Sequence, residues 1–356
     1  MERHDNPFSP GAGSPPPKLV GRDEILQQAL TALARIKRGR SEKSILLVGL
    51  RGTGKTVLLN EISKLAEEQQ YQSVIIEAHE QKTLPAILLP ELRRVLFSLD
   101  SGKNISSLEA DLAQLFIALG EAAKDRETAV AIIIDELQYV KEEELSSLIM
   151  AIHRISQKSL PVVLIGAGLP QLVGITGRAK SYAERLFDYP EIGPLKNQDA
   201  KIALASPVEK ENVFFTPDAI DEIIRVTEGY PYFLQEWGYQ AWNIAAKSPI
   251  DLSVVKQATT ASLQRLDQSF FRVRFDRLTP REQEYLRALA ELGAAPQRSG
   301  DVAEKLGIDV KNAGPLRNGL IKKGMIYSPK HGDTAFTVPL FEAFMKRIMP
   351  MQKTTK

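Results

Sequence analysis

The sequence predicts an α/β fold, a parallel sheet wound with helices, followed by a helical module and a C-terminal module of three helices and a β-ribbon. Three observations predict it. Strand-length apolar runs alternate with helical patterns from Ser44 to about residue 195. A glycine-rich turn, Gly49–Thr56, stands between the first such run and the helix behind it. An acidic pair, Asp135-Glu136, closes an all-apolar run, Val130–Ile134.

The elements follow in chain order. Residues 1–18 carry five prolines, three of them consecutive at Pro15–Pro17, and little to bury. They read as a disordered or loosely attached tail. Leu19-Val20-Gly21-Arg22-Asp23-Glu24 leads into a helical pattern of Ile25, Leu26, Leu30, Leu33 and Ile36, with Asp23 as candidate N-cap. By spacing alone, Arg22 is a solvated surface arginine. Ser44–Val48 is the first strand, and Val57, Leu58, Leu59, Ile62 and Leu65 mark the helix after the turn. Ser73–Ala78 is the second strand. In the helix-rich insertion that follows, Leu108, Leu112, Leu115, Phe116 and Leu119 recur at helical spacing. Val130–Ile134 is apolar throughout, as a parallel strand covered on both faces must be. A helix over 142–157, a strand over Pro161–Gly166 and a short strand within Tyr189–Pro194 complete an α/β domain at residues 19–195.

Residues 196–275 read as a helical lid, with helices over 198–206, 217–228, 231–246 and 253–270. Pro217 fits a first turn behind the N-cap candidate Thr216. Tyr230, Tyr232, Phe233, Trp237, Tyr239 and Trp242 read as the core of that lid. Within 276–356, Thr279-Pro280 opens a helix with Leu286, Leu289 and Leu292 on one face, and Gly307 ends a short second helix. Pro315 fits a first turn, so the third helix is expected to start near Gly314 and run to Lys323. Gly324–Tyr327 and Thr334–Val338 pair around Ser328–Asp333. Three helices and a ribbon in this order suggest a winged helix-turn-helix.

The chemistry concentrates in two stretches. Gly49–Thr56 fits G-x-x-x-x-G-K-[ST], the P-loop pattern, between a strand and a helix. Gly49, Gly52 and Gly54 let the backbone curl, so that successive N–H groups, Thr53 among them, face a phosphate. The helix N-terminus adds positive potential. Lys55 would neutralise the β- and γ-phosphates, and Thr56 would ligate Mg²⁺. Asp135 would hold the same metal, directly or through water, and Glu136 would polarise the attacking water. The ligands expected are therefore ATP or ADP with Mg²⁺. Beside these stand plainer readings, a glycine-rich strand–helix turn and a strand-end carboxylate that caps the next helix.

Composition removes other chemistries. With no cysteine there is no disulfide, thiolate metal site or cysteine nucleophile, which suits a reducing, cytoplasmic setting. His4, His79, His153 and His331 are scattered, without metal-ligand spacing. No apolar run approaches the roughly 18 residues of a membrane span, and the start lacks a basic-then-apolar signal pattern. The net charge is +2, yet from Asp276 onward 14 Lys and Arg face 9 Asp and Glu, which hints at a nucleic-acid-facing end.

Taken together, Val20-Gly21-Arg22-Asp23-Glu24, Gly49–Thr56, Ile132-Ile133-Ile134-Asp135-Glu136, the lid and the terminal winged helix resemble the AAA+ and STAND P-loop ATPases. The resemblance covers residues 19 to about 345. It points to the branch of origin-recognition initiator ATPases and archaeal-type STAND ATPases, hence to a P-loop NTPase parallel sheet with helical lid and C-terminal winged helix-turn-helix. It implies that Val20, Arg22 and the lid sandwich the adenine, with Pro231 near the base. Pro231 lies in Gly229-Tyr230-Pro231, similar to the Gly-x-Pro lid signature of STAND ATPases, although proline at a helix first turn is also ordinary helix chemistry. The resemblance further implies an arginine finger before Gly193-Pro194. Arg185 is the better candidate and Arg178 the weaker, with a surface or ion-paired arginine as the alternative. The family usually places a polar sensor at the end of strand four, where this chain has Gly166-Ala167-Gly168-Leu169-Pro170-Gln171. Asp135-Glu136-Leu137-Gln138 is similar to the Asp-Glu-x-Gln of transposition-helper and secretion-type ATPases, with Gln138 or Gln171 as a substitute.

In the C-terminal module, residues 310–323 hold Lys311, Asn312, Arg317, Asn318, Lys322 and Lys323 and no acidic residue, while Lys330 and His331 lie on the predicted wing. Double-stranded DNA is the expected partner, and protein contact the alternative. The expected function is ATP binding and hydrolysis coupled to DNA binding or assembly, with other subunits or a homo-oligomer in the ATP state and no membrane. The alternative is a STAND-type signalling switch whose winged helix contacts protein.

Overall fold

A computed structural model describes residues 1–11, 13–99 and 112–350. The chain divides into two compact units. One comprises Gly21–Gly49 and Gly54–Gly193; the other comprises Met1–Val20, the loop tip Leu50–Thr53 and the chain from Pro194.

The first unit is the wound sheet. Its helices are α1 (Asp23–Lys37), α2 (Lys55–Glu68), α3 (Leu84–Leu99), α4 (Leu112–Asp125), α5 (Glu142–Gln157), α6 (Leu172–Ala179) and α7 (Ala183–Leu186). Its strands are β1 (Ser44–Val48), β2 (Tyr71–Glu77), β3 (Ala129–Asp135), β4 (Val162–Gly168) and β5 (Phe187–Asp188). The five strands lie in the order β2-β3-β4-β1-β5, all pairings parallel. β1, β3 and β4 are interior strands, which is why their sequences are apolar without alternation. β2 is an edge strand and reads differently, burying Tyr71 and Val74 while Ile75 is exposed. α4 buries Leu115, Phe116 and Leu119; Leu108 of the same expected stripe lies outside the described residues.

Two local expectations change. Asp23 is the first residue of α1, not its cap; Arg22 occupies the cap position and makes no side-chain cap bond. The short last strand is Phe187–Asp188, just before the expected Tyr189–Pro194, although Glu191 still bridges Val48.

The second unit contains α8 (Asn197–Glu209), α9 (Pro217–Thr227), α10 (Pro231–Ile244) and α11 (Leu252–Arg265), followed by a π-helical turn over Leu266–Phe271 and α12 (Arg272–Phe275). Then come α13 (Pro280–Leu292), β6 (Gln297–Arg298), α14 (Ser299–Leu306), α15 (Val310–Lys322), β7 (Ile326–Tyr327), β8 (Asp333–Phe336) and α16 (Phe341–Ile348). β6, β8 and β7 form an antiparallel sheet in that order, of which only the β7–β8 ribbon was expected. The lid helices and the C-terminal helices share one continuous core rather than two. Aromatic rings join them: Phe270 meets Phe271 at 5.4 Å between centroids, and Phe271 meets Phe341 at 5.6 Å and Phe344 at 5.2 Å.

The expected loose tail is instead attached over Met1–Ser9. Asn6 donates to the Tyr239 carbonyl and to Asn243 Oδ1, both at 3.0 Å, and Trp242 Nε1 donates to the Glu2 carbonyl at 2.9 Å. Phe8 is only 2% exposed and stands edge-on to Phe215. Gly238 makes the socket: a Cβ there would lie 2.6 Å from the Phe8 ring. The Phe8→Ala variant is expected to lose about 3 kcal/mol of stability. A denaturant midpoint equal to that of the unaltered chain would restore the loose-tail reading.

Helix ends supply further differences. Thr216 stands at the cap of α9, but its hydroxyl bonds the Ile250 carbonyl at 3.5 Å rather than an N–H of the helix. α15 starts at Val310, with Pro315 inside it. Asp309 caps it, accepting from Lys311 N–H at 2.9 Å. Thr279 and Glu282 form a full capping box on α13.

Candidate functional site

The C-terminal ends of β1 and β3 carry the residues of interest, as expected for an open parallel sheet. Gly49 leaves β1 and donates its N–H to the Gly168 carbonyl at the end of β4, 3.1 Å. Gly52 and Gly54 adopt φ of 81° and 90°, left-handed values that a side chain disfavours. Gly54 then caps α2, whose first residues are Lys55 and Thr56. Lys55 is 8% exposed, and its ammonium donates to the Gly49 carbonyl at 2.9 Å, so the loop folds back around its own lysine.

Thr56 and Asp135 are 79 positions apart, yet the Thr56 hydroxyl donates to Asp135 Oδ2 at 2.6 Å. Burial raises the Asp135 pKa; the Thr56 bond offsets this, the Glu136 charge adds to it, and Lys55 opposes it. A carboxylate so placed favours a cation beside it. Two hard oxygens from one hydroxyl and one carboxylate suit Mg²⁺, which takes its remaining ligands from phosphate and water. Among the described residues no group of three or more His, Cys, Asp or Glu offers an all-protein metal cage.

Glu136 follows Asp135 in a left-handed conformation, φ 55° and ψ 37°, uncommon for a residue with a side chain. Its N–H donates to Asp135 Oδ1 at 2.8 Å. Gln138 donates from Nε2 to Glu136 Oε2 and accepts at Oε1 from the Leu169 N–H at 3.0 Å. Gln171 makes no such bridge; its Oε1 is buried without a partner.

The remaining candidates disperse. Arg22 is buried, contrary to the solvated reading, and its guanidinium donates to the carbonyls of Gly21 at 3.3 Å and Gly193 at 2.6 Å. Val20 and Pro231 belong to the other compact unit, where Pro231 is the first residue of α10. There Tyr232 donates its N–H to the Gly52 carbonyl at 3.2 Å, and Arg51 donates its N–H to the Thr337 carbonyl at 3.1 Å. Arg185 is exposed, two residues before the Phe187–Asp188 strand that pairs with Ser44 and Ile45. That is the N-terminal end of β1, whereas Lys55 follows its C-terminal end, so Arg185 lies away from its own chain's Lys55. Arg178 is exposed and 3.7 Å from Glu142.

The candidate nucleic-acid contacts over 311–323 divide into two groups. Lys311, Asn312 and Lys322 are exposed. Arg317 is spent on Thr334 Oγ1 at 2.8 Å and the Asp333 carbonyl at 2.9 Å, and Lys323 on Glu282 at 2.7 Å and the Arg277 carbonyl at 3.1 Å. No described helix is long and apolar enough to cross a membrane. Sequence reasoning missed the Phe8 socket, whose signal was a lone aromatic in a proline-rich segment and a glycine inside a helical pattern. It also missed the two loop-tip bonds, for which the sequence holds no signal.

Comparison with known proteins agrees with this geometry. Residues 18–165 match the family model of the AAA ATPase domain, and residues 268–345 match a domain of unknown function. The chain is 30% identical over 160 residues to origin recognition complex subunit 4 of Mus musculus, and 27% over 160 residues to that of Cricetulus griseus. Each match covers 43% of this chain, and the chain spans 37% of the length of these curated relatives. Among solved structures, a Walker-type ATPase of Pyrococcus abyssi has a TM-score of 0.64 at 17% identity, covering 94% of this chain and 98% of that one. The ORC2 protein of Aeropyrum pernix, in its ADPNP-ADP complexes, has a TM-score of 0.57 at 15% identity, covering 96% and 98%. The ORC1 protein of the same organism, solved in complex with DNA, has a TM-score of 0.50 at 16% identity, covering 93% of each. These three show the shared fold. Residues 18–165 are thus similar to an AAA ATPase domain, on a parallel-sheet P-loop fold.

Proposed function

We propose that the chain binds ATP with Mg²⁺ in the cytoplasm, hydrolyses it, and uses the nucleotide state to govern its hold on double-stranded DNA or on other subunits. The observation that carries the reading is the Thr56–Asp135 bond beside buried Lys55, with Glu136 next in the chain. Lys55 and the loop N–H groups bind phosphate, Thr56 and Asp135 hold the metal, and Glu136 accepts a proton from the attacking water. Mg²⁺, when bound, neutralises charge on the phosphate oxygens. Arg185 is exposed, which supports a role toward the nucleotide of a neighbouring copy in an ATP-state homo-oligomer. Val20, Arg22 and Pro231 stay in the proposal as base-side residues; the bonds of Arg22 support a brace for the segment before α1.

The order of α13, α14, α15 and the β-ribbon supports a winged helix-turn-helix. The DNA bound by the Aeropyrum pernix ORC1 protein and the exposed Lys311, Asn312 and Lys322 support DNA contact. Of the five candidates, Arg317 and Lys323 serve the fold first. The Lys311→Ala, Lys322→Ala double variant is expected to weaken DNA binding and to flatten the plot of log affinity against log salt by about 1.8. Fluorescence anisotropy across a salt series, with ATP and with ADP, measures this; an unaltered affinity and slope would remove α15 from the interface.

A second reading is a STAND-type switch whose C-terminal module contacts protein. The bonds from Arg51 to Thr337 and from Tyr232 to Gly52 favour it, since they tie the loop tip to the lid and the C-terminal module. Equal DNA affinity with ATP and with ADP would move the assignment to this reading.

A further inference from the structure

We propose that Gln138 is the positioning residue for Glu136, holding the carboxylate in the orientation from which it accepts the proton of the attacking water. The inference rests on the hydrolysis reading above and deepens it. Three features of the first unit converge on it.

The first is hydrogen-bond logic. The Leu169 N–H can only donate, so the oxygen of the Gln138 amide must face it. The amino group then faces Glu136 Oε2, to which it donates. Both ends of the amide are committed, and its orientation follows from chemistry rather than choice. An ionised carboxylate accepts such a bond well, and holding one oxygen limits the rotamers open to Glu136.

The second is the backbone. Glu136 takes its left-handed conformation directly after β3, and a single turn of 3₁₀-helix, Leu137–Tyr139, follows. The Tyr139 N–H closes on the Glu136 carbonyl at 3.0 Å and the Val140 N–H on the Leu137 carbonyl at 3.1 Å. Without that reversal, Gln138 would continue away from the strand end. A strained residue that persists at a functional position is held there by its surroundings.

The third is the shape of β4. Its last three residues are Gly166, Ala167 and Gly168. A Cβ on Gly166 would lie 2.3 Å from Leu137 Cδ1 and 2.7 Å from Leu46 Cδ2. A Cβ on Gly168 would lie 2.9 Å from Gln138 Oε1. Side chains at these two positions would crowd the space that Leu137 and the Gln138 amide occupy. The absence of a polar side chain at the end of β4 and the presence of an amide from the neighbouring strand end are therefore one arrangement: the glycines admit the turn, and the turn supplies the amide. The bridge also links Glu136 to the backbone of the loop after β4.

The test uses the full chain and two substitutions. Gln138→Glu keeps the length and an oxygen for the Leu169 N–H but cannot donate to Glu136 when ionised. Gln138→Met keeps the bulk and removes both bonds. ATP-dependent phosphate release gives kcat and KM, and titration with a fluorescent ATP analogue gives affinity. Both variants are expected to lose about 10- to 100-fold in kcat, with analogue affinity within about threefold of the unaltered chain. A Gln138→Glu chain with unaltered or higher kcat overturns the positioning role. Loss of nucleotide binding in step with turnover in both variants also overturns it, since the bridge would then serve only the loop fold. An unaltered chain that releases no phosphate overturns the hydrolysis reading and this inference with it, an outcome distinct from the other two.

Discussion

Replacing Lys55 with alanine is expected to weaken ATP binding roughly a hundredfold or more, the loss of charge-assisted bonds to phosphate. Lys55 is 8% exposed, and its ammonium already lies within the loop, donating to the Gly49 carbonyl. A cation held there meets little competing water, so its attraction for phosphate is stronger than that of a surface lysine. Gly52 and Gly54 hold the loop open by their own left-handed geometry, which the substitution does not alter. The loss should therefore appear in affinity while the thermal midpoint stays close to that of the unaltered chain. Titration with a fluorescent ATP analogue measures it, and an unaltered affinity would remove the phosphate role from this loop.

Glu136→Gln is expected to act on the other side of the reaction. Binding of ATP should persist, because Thr56, Asp135 and Lys55 are untouched. Turnover should fall by about 10²- to 10⁴-fold, the range for removal of a positioned general base. The amide of glutamine can still meet Gln138 but cannot take a proton from water. A variant that hydrolyses ATP at the unaltered rate would assign the base to another residue. The same variant, mixed with ATP and sized by light scattering, reads the ATP-state assembly without loss of nucleotide during the measurement.

The parts of this site that the sequence displays are those encoded by contiguous residues. Gly49 through Thr56 carries its own glycines, its lysine and its helix start, and Val130 through Ile134 is apolar because its strand is covered on both faces. The pairing of Thr56 with Asp135, though distant in sequence, follows from joining two local patterns. What the sequence conceals depends on packing between distant segments. Phe8 stands out as a lone aromatic among prolines and Gly238 as a glycine inside a helical pattern, but only packing joins the two. Gly166 and Gly168 look like a missing polar residue until Leu137 and Gln138 are seen in the space they leave. Pro315 is a good first-turn residue, and only the cap at Asp309 shows that the helix has started five residues earlier. Arg317 and Lys323 look like solvent-facing cations on a basic helix, but Thr334, Asp333 and Glu282 already claim them. Charge alone does not distinguish a residue that meets a ligand from one that holds a fold.

Lys55, Thr56, Asp135 and Glu136 are proposed to form one site for ATP hydrolysis. Phosphate release by the full chain with ATP and Mg²⁺, measured beside the Lys55→Ala chain in the same preparation, tests it most directly. The prediction is release that saturates with ATP, stops when Mg²⁺ is chelated, and is absent from the Lys55→Ala chain. Release no faster from the unaltered chain than from Lys55→Ala, with ATP shown to be bound, would contradict it.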